Sequence, residues 1–260
     1  MKQSVLITGA SGGLGLSLAH RFAKAGYDLI LTARSADKLD AAKAAIEAAH
    51  AVTVTPIPCD LGKPHAAEEL MTTVHGQGLS VDILVNNAGF GDFGDFADSD
   101  IQKQSAMVDL NVKALMELTH AVLPAMRRNR RGKILNVASI AAFQQGPYMS
   151  VYYATKAFVV SFSQAIAHEL KDSGITVTAL CPGPIDTGFS DAAELANSKL
   201  FRSLHVSTPD EVADYGYTAL MKGKTVAVHR FSNKLLVFGT RFAPRKLIGH
   251  MVCKIQGKIN

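Results

Sequence analysis

Tyr152 and Lys156 stand four residues apart, a spacing that sets both side chains on one face of a helix. A phenol titrates near ~10 in water and is a poor acid–base group at neutral pH. An ammonium beside it stabilises the phenolate and lowers that value, each unit being worth ~1.4 kcal/mol of differential stabilisation. Ser139, at the end of the preceding strand-like run, can hold a carbonyl oxygen beside the phenol. The three together suit proton transfer to an oxygen while hydride reaches its carbon. Tyr153 is a rival position, but only Tyr152 has a lysine four residues on. Taken alone, a Tyr-x-x-x-Lys pair is more often the product of helix-surface packing.

A second group lies near the N-terminus. Thr8-Gly9-Ala10-Ser11-Gly12-Gly13-Leu14-Gly15 follows an apolar run and opens a helical one, a T-G-x-x-x-G-x-G spacing rather than G-x-G-x-x-G. Glycines there let the backbone approach a pyrophosphate, which then sits on the helix N-terminus. Gly9, Ser11, Gly13, Leu14 and Gly15 are the candidate contacts. About 20 residues past such a turn, a site for a ribose 2′-hydroxyl usually carries a carboxylate. This chain has Ala33 followed by Arg34. The missing carboxylate removes repulsion toward a 2′-phosphate, and the guanidinium can bind one by charge-assisted bonds. Asn86-Asn87-Ala88-Gly89 ends another strand-like run, with small residues that admit a flat ligand and amides that can tie neighbouring strands.

The elements that must position these groups alternate. Apolar strand-like runs at 4–8, 28–32, 52–57, 81–86, 133–138, 175–180 and 225–228 are separated by helical stretches. These fall at 14–25, 37–49, 65–74, 101–108, 111–126, 152–170 and 209–221, with later helices at 233–238 and 244–258. Pro58 is expected to end the third strand. Thr208-Pro209-Asp210-Glu211 reads as a capping box. Continuous apolar strands alternating with helices imply a parallel sheet covered on both faces: an α/β, doubly wound, Rossmann-like domain of about seven strands. Residues 1–230 form that domain, with 189–207 an insertion over the carboxyl edge of the sheet for the substrate, and 231–260 a basic amphipathic extension.

Composition excludes several classes. The chain is 48% apolar and 19% charged, unlike a disordered or fibrous protein. Cys59, Cys181 and Cys253 are odd in number and far apart, which offers neither a disulfide framework nor a Cys-x-x-Cys metal site. They read as reduced thiols, and no apolar run reaches the ~20 residues of a membrane crossing. The expected location is cytoplasmic. Nine scattered histidines include no His-Glu-x-x-His, so no catalytic metal is expected. Asp92, Asp95, Asp98 and Asp100 read as a solvated loop, and Arg127-Arg128-Asn129-Arg130-Arg131 as cations at a helix end rather than a nucleic-acid patch. Phe93, Phe143, Met149 and Phe189 are either an apolar pocket wall or ordinary core.

The net charge of +5 is unevenly distributed. Residues 215–260 hold nine Lys/Arg and no Asp/Glu, whereas the first 214 residues hold 18 Lys/Arg against 22 Asp/Glu. In the tail, Leu247, Ile248, Met251, Val252 and Ile255 share one helical face, with Arg245, Lys246, His250, Lys254 and Lys258 elsewhere. Such a helix packs on the domain or across a subunit interface, or it lies on an anionic membrane surface as a peripheral contact through 231–260.

Together these motifs resemble the short-chain dehydrogenase/reductase family in its single-domain form, from Ser4 to about Thr187 in order. The resemblance implies a role for each residue. Tyr152 would be the general acid in reduction. Lys156 would lower its pKa and bind the nicotinamide ribose, and Ser139 would orient the substrate carbonyl. Asn111 would hold a water linking Lys156 to solvent. Asp60 and Leu61 would lie along the adenine, and Asn87, Ala88 and Gly89 would border the adenine ribose and the nicotinamide. Pro182 and Gly183 belong to the same cofactor motif, and Ile185 and Thr187 would contact the carboxamide. Arg34 without an acid at Ala33 resembles the NADP(H)-preferring members, although many of those carry a second basic residue inside the glycine loop, where this chain has Ser11-Gly12. Residues 90–96 and the late helices look like a subgroup of ketone and acyl-chain reductases. The implied protein is an NADP(H)-dependent oxidoreductase of an apolar ketone or aldehyde, a homodimer or homotetramer that binds no nucleic acid. The alternatives are a peripheral membrane reductase of a lipid or acyl-chain carbonyl, and an NADPH-binding protein without turnover.

Overall fold

The computed structural model describes residues 2–187 and 206–256, so the expected insertion lies outside the described residues but for 206 and 207, and so does Phe189. Seven parallel strands form one sheet: β1 (Ser4–Thr8), β2 (Asp28–Ala33), β3 (Val54–Pro58), β4 (Ile83–Asn86), β5 (Gly132–Val137), β6 (Ile175–Cys181) and β7 (Val226–Val228), in the order β3-β2-β1-β4-β5-β6-β7. The helices are α1 (Gly13–Lys24), α2 (Ala36–Ala49), α3 (Ala66–Gly76), α4 (Ile101–Val108), α5 (Leu115–Arg128), α6 (Ser150–Glu169), α7 (Pro209–Met221), α8 (Phe231–Gly239) and α9 (Arg245–Gln256). The order reverses between β1 and β4. The connections leaving their carboxyl ends therefore run to opposite sides and leave the crevice in which doubly wound sheets bind ligands.

Every residue of β1 is buried, because both faces of the sheet are covered. Val5 and Ile7 pack with Leu18, Phe22, Leu39 and Ile46 under α1 and α2, while Leu6 faces the opposite core with Leu70, Leu118 and Ile166 of α3, α5 and α6. The Thr208 capping box forms as expected and starts α7.

Two local departures from the sequence expectation have clear causes. Pro58 ends β3 from inside the strand, as its last residue, rather than just beyond it. Among the described strands β3 pairs only with β2, and Cys59 N donates to Ala33 O at 3.0 Å. Odd-numbered residues thus face β2, and Pro56 and Pro58, which have no N–H to give, face the open edge. The expected helices at 101–108 and 111–126 are one continuous rod, joined by a π-helical turn over Asp109–Ala114. The widened turn buries both Asn111 and Ala114.

A buried amide ladder fixes α6 against the sheet. Asn86 Nδ2 donates to Asn136 Oδ1 at 2.9 Å and to Thr119 Oγ1 at 3.1 Å. Asn136 Nδ2 donates to Ser163 Oγ at 2.9 Å, and Ser163 Oγ donates to Val159 O at 2.6 Å. The ladder runs from β4 through β5 into the helix that carries Tyr152 and Lys156.

Candidate active site

A cleft of about 510 Å³ opens at the carboxyl edge of the sheet. Of the residues singled out in the sequence, it is lined by Gly9, Ser11, Gly13, Leu14 and Gly15 from the first turn, Arg34 beyond β2, and Asn87, Ala88 and Gly89 beyond β4. Ser139, Tyr152, Lys156, Gly183, Ile185 and Thr187 complete that set. Pro182 also lines it, buried at the end of β6.

The glycine turn is held from beneath by Thr8. Its Oγ1 accepts from Asn87 N and Ala88 N, each at 2.9 Å, while Asn87 Nδ2 donates back to Thr8 O at 2.9 Å and Gly9 O at 3.2 Å. Both protons of the Asn87 side-chain amide are therefore spent inside the protein. A Cβ on Gly15 would collide with the carbonyl of Gly9, so only glycine lets α1 start this close to the turn.

Tyr152 and Lys156 lie on one face of α6, as their spacing requires. Ser139 follows β5, where its Oγ accepts from Ala141 N at 3.1 Å and starts a short 3₁₀ turn. Burial pushes the Tyr152 phenol up to about 12, with a hydrogen bond to the Ser139 side chain pulling the other way. Burial also brings Lys156 down to about 8, an effect opposed by the nearby Cys181 sulfur. In this structure desolvation outweighs the other influences on the Tyr152 phenol. Lys156 Nζ donates to Val137 O at 2.9 Å and stands 5.7 Å from the phenol ring centroid, so its bond goes to backbone while desolvation of the phenolate dominates. Tyr153 packs inward with Met149, its ring 6.1 Å from that of Tyr152.

Asn111, Asp60 and Leu61 do not line the cleft. Asn111 is buried behind it: Oδ1 accepts from Phe90 N at 3.1 Å, and Nδ2 donates to Phe90 O at 2.9 Å and Thr155 Oγ1 at 3.2 Å. Both amide protons are used, and the side chain clamps the loop after β4 onto α6. Gly89 lies between Asn111 and Lys156, where a Cβ would come within 2.8 Å of Asn111 Oδ1 and 3.6 Å of Lys156 Nζ. Leu61 buries its side chain with Ile57 and Leu70, and Asp60 Oδ1 accepts from Gly62 N at 3.2 Å. Their side chains support the turn after β3.

Three features go beyond or differ from what the sequence implies. Lys38 lines the cleft beside Arg34, and its only sequence signal is a position four residues on, in the first turn of α2. Phe90, Ile140, Ala141 and Met149 make the wall near Tyr152 apolar. The expected single apolar face of the last helix is divided: Ile248 and Val252 are buried against Ala141, Met149 and Tyr153, with Phe93 at the margin, whereas Leu247 and Met251 are exposed. Ile255 falls outside the described side chains. Phe143 joins a different cluster, around Val159 and Cys181. In the acidic loop Asp92 pairs with Lys103 at 2.6 Å, and Asp100 caps α4.

Comparison with known proteins agrees with this geometry. The family model described as short chain dehydrogenase matches residues 3–197. Sulfoacetaldehyde reductase 2 of Chromohalobacter salexigens is 34% identical over 250 residues, covering 94% of this chain and 96% of the relative. A short-chain dehydrogenase from Sphingobium yanoikuyae, solved in complex with NADPH, is 32% identical with a TM-score of 0.82, covering 92% of this chain and 94% of that one. The bulky-bulky ketone specific alcohol dehydrogenase of Comamonas testosteroni is 29% identical with a TM-score of 0.78, covering 92% of each chain. With this sheet order, this cleft and a family match spanning both the glycine turn and Tyr152, the chain belongs to the short-chain dehydrogenase family of oxidoreductases.

Proposed function

We propose that this protein is an NADPH-dependent reductase of an apolar ketone or aldehyde, with Tyr152 as the general acid. One observation carries the proposal: Ser139, Tyr152 and Lys156 line the same cleft as the glycine turn and the cations Arg34 and Lys38. The cleft fits a dinucleotide bearing a 2′-phosphate. The turn has no room for a Cβ at Gly15, which suits a pyrophosphate against bare backbone. Arg34 and Lys38 supply two cations where a 2′-hydroxyl site would place a carboxylate. Lys38 takes the part of the second basic residue that the glycine loop lacks. The NADPH complex of the Sphingobium relative supports the same choice. When bound, the reduced nicotinamide supplies hydride to the carbonyl carbon.

The chain's own residues handle the proton. Ser139 orients the carbonyl oxygen, and the Tyr152 hydroxyl donates to it. A phenol at about 12 stays protonated at neutral pH, which is the form that reduction needs. Lys156 places a cation beside the phenolate that forms. Asn111 holds the Gly89–Phe90 backbone in place; with both amide protons spent and one Oδ1 lone pair taken by Phe90 N, a relaying water would have to donate to the other. Phe90, Ile140, Ala141 and Met149 favour an apolar substituent on the carbonyl. Exposed Val108, Met116 and Phe158 on α4, α5 and α6 favour a homo-oligomer through those helices.

The test is NADPH consumption over a panel of carbonyl compounds, comparing wild type with Tyr152→Phe. Loss of general acid catalysis is expected to lower kcat by ~10²–10⁴-fold with cofactor binding retained. Equal turnover by the two proteins refutes the mechanism. Tight NADPH binding with no substrate in the panel would favour a non-catalytic binding protein.

A further inference from the structure

We propose that the face formed by α8 and α9 docks on an anionic lipid bilayer. Among the described residues, six of the eleven exposed large apolar side chains fall between 231 and 251: Phe231, Leu235, Phe238, Phe242, Leu247 and Met251. Phe231, Leu235 and Phe238 form one stripe on α8, and Phe242 in the following turn extends it, the Phe238 and Phe242 rings standing 5.1 Å apart. No described side chain of α8 is buried. An apolar stripe on a helix with no buried face is the reverse of what folding alone selects, and it marks an interaction surface.

Charge selects the occupant. Lys234, Arg245, Lys246 and Lys254 are exposed on the same two helices and Arg241 on the turn between them, and no Asp or Glu occurs after residue 214. A second copy packed face to face through this surface would bring five cations against the same five with no carboxylate between them. An anionic headgroup layer complements all five, while the aromatic and aliphatic side chains enter the acyl boundary. No helix among the described residues is long and apolar enough to cross a membrane, so the contact is peripheral.

The position of the face gives the docking a consequence. Ile248 and Val252, on the inner side of α9, pack against Met149 and Tyr153 beside the catalytic helix. Leu247 and Met251, on the outer side, are about half exposed, at 52% and 54%. One helix therefore separates the proposed bilayer surface from the apolar wall of the cleft, and an apolar carbonyl compound dissolved in the membrane is brought close to Tyr152. The docking itself does not depend on the reductase reading.

The experiment is flotation of the full chain with phosphatidylcholine vesicles and with vesicles containing about one-third phosphatidylserine. Binding is expected to the anionic vesicles alone, and to weaken with salt. The pair Lys234→Gln and Lys246→Gln should lower partitioning by more than ten-fold, since each cation near the surface contributes about five-fold. Phe238→Ser with Phe242→Ser should lower it as much. Because these side chains are exposed, both double variants should keep the wild-type melting temperature and turnover of a water-soluble carbonyl compound. The proposal is overturned if the chain floats with neither vesicle, or if the phenylalanine pair floats like wild type. It is equally overturned if sedimentation velocity without lipid shows a dimer that the phenylalanine pair dissolves, which would give the face to a second copy. Turnover read alongside separates these failures from failure of the reductase reading.

Discussion

Replacing Thr8 by valine is the sharpest test of how the cleft is built. The side chain is 2% exposed, and its hydroxyl accepts two backbone N–H groups, from Asn87 and Ala88, each at 2.9 Å. Valine keeps the shape and removes the acceptor, so packing is unchanged and two donors lose their partner. A buried unpaired N–H costs ~1–3 kcal/mol, which sets an upper range of ~2–6 kcal/mol for the pair. Both residues border the open cleft, where water can reach one of the two, so the expected loss is ~2–4 kcal/mol. With an unfolding entropy of ~2.1 cal/mol/K per residue, 260 residues convert this to a fall in Tm of ~4–7 °C. Thermal unfolding followed by circular dichroism reads it directly. Thr8→Ser is the control: it keeps the acceptor and should recover most of the loss. Since Asn87 also grips Thr8 O and Gly9 O, the valine variant should raise the KM for NADPH as the turn loosens. A valine variant melting within about 1 °C of wild type, or a serine variant as damaged as valine, refutes the proposed role of Thr8.

Other outcomes follow from the same geometry. Gly89→Ala puts a Cβ within 2.8 Å of Asn111 Oδ1, and because ~1 Å of misplacement can lower rates by ~10²-fold, kcat should fall by at least ~10-fold with little change in Tm; unchanged kcat would show that the Gly89–Asn111–Lys156 packing is slack. A lysine with a lowered pKa is charged below it and neutral above, so reduction measured as kcat/KM with NADPH varied should decline above pH of about 8, whereas Tyr152 stays protonated throughout. A profile flat to high pH would remove Lys156 from that role. Arg34→Ala and Lys38→Ala should each raise the KM for NADPH, by roughly ten-fold given their exposure, and leave NADH kinetics nearly unchanged. Parallel losses with both cofactors would mean that the two cations do not read a 2′-phosphate.

The parts of this protein that were legible in its sequence are those set by short-range rules. The buried strands show as continuous apolar runs, the α7 cap as Thr208–Glu211, and the shared face of Tyr152 and Lys156 as a spacing of four. What escaped depends on neighbours distant in the chain. Pro58 stays in β3 only because that strand is at the edge of the sheet. Lys38 matters because α2 starts beside the cleft, which nothing local announces. The Tyr152 pKa turned on desolvation, opposed by the hydrogen bond to Ser139, and the burial comes from elements distant in the chain. Likewise, periodicity gave the last helix one apolar face, and only the position of Met149 and Tyr153 divides it into an inner and an outer one.

The amide ladder has a mechanical meaning. Ser163, its terminal rung, is eleven residues along α6 from Tyr152, a rise of roughly 16 Å. The helix is then a lever pivoting on Ser163 with the phenol at its far end. A tilt of only about 4° about that pivot displaces Tyr152 by about 1 Å, enough to lower a rate by ~10²-fold. Angular stiffness at Asn136 and Ser163 thereby joins the nearer Asn111–Thr155 and Lys156–Val137 bonds in setting the aim of the proposed acid.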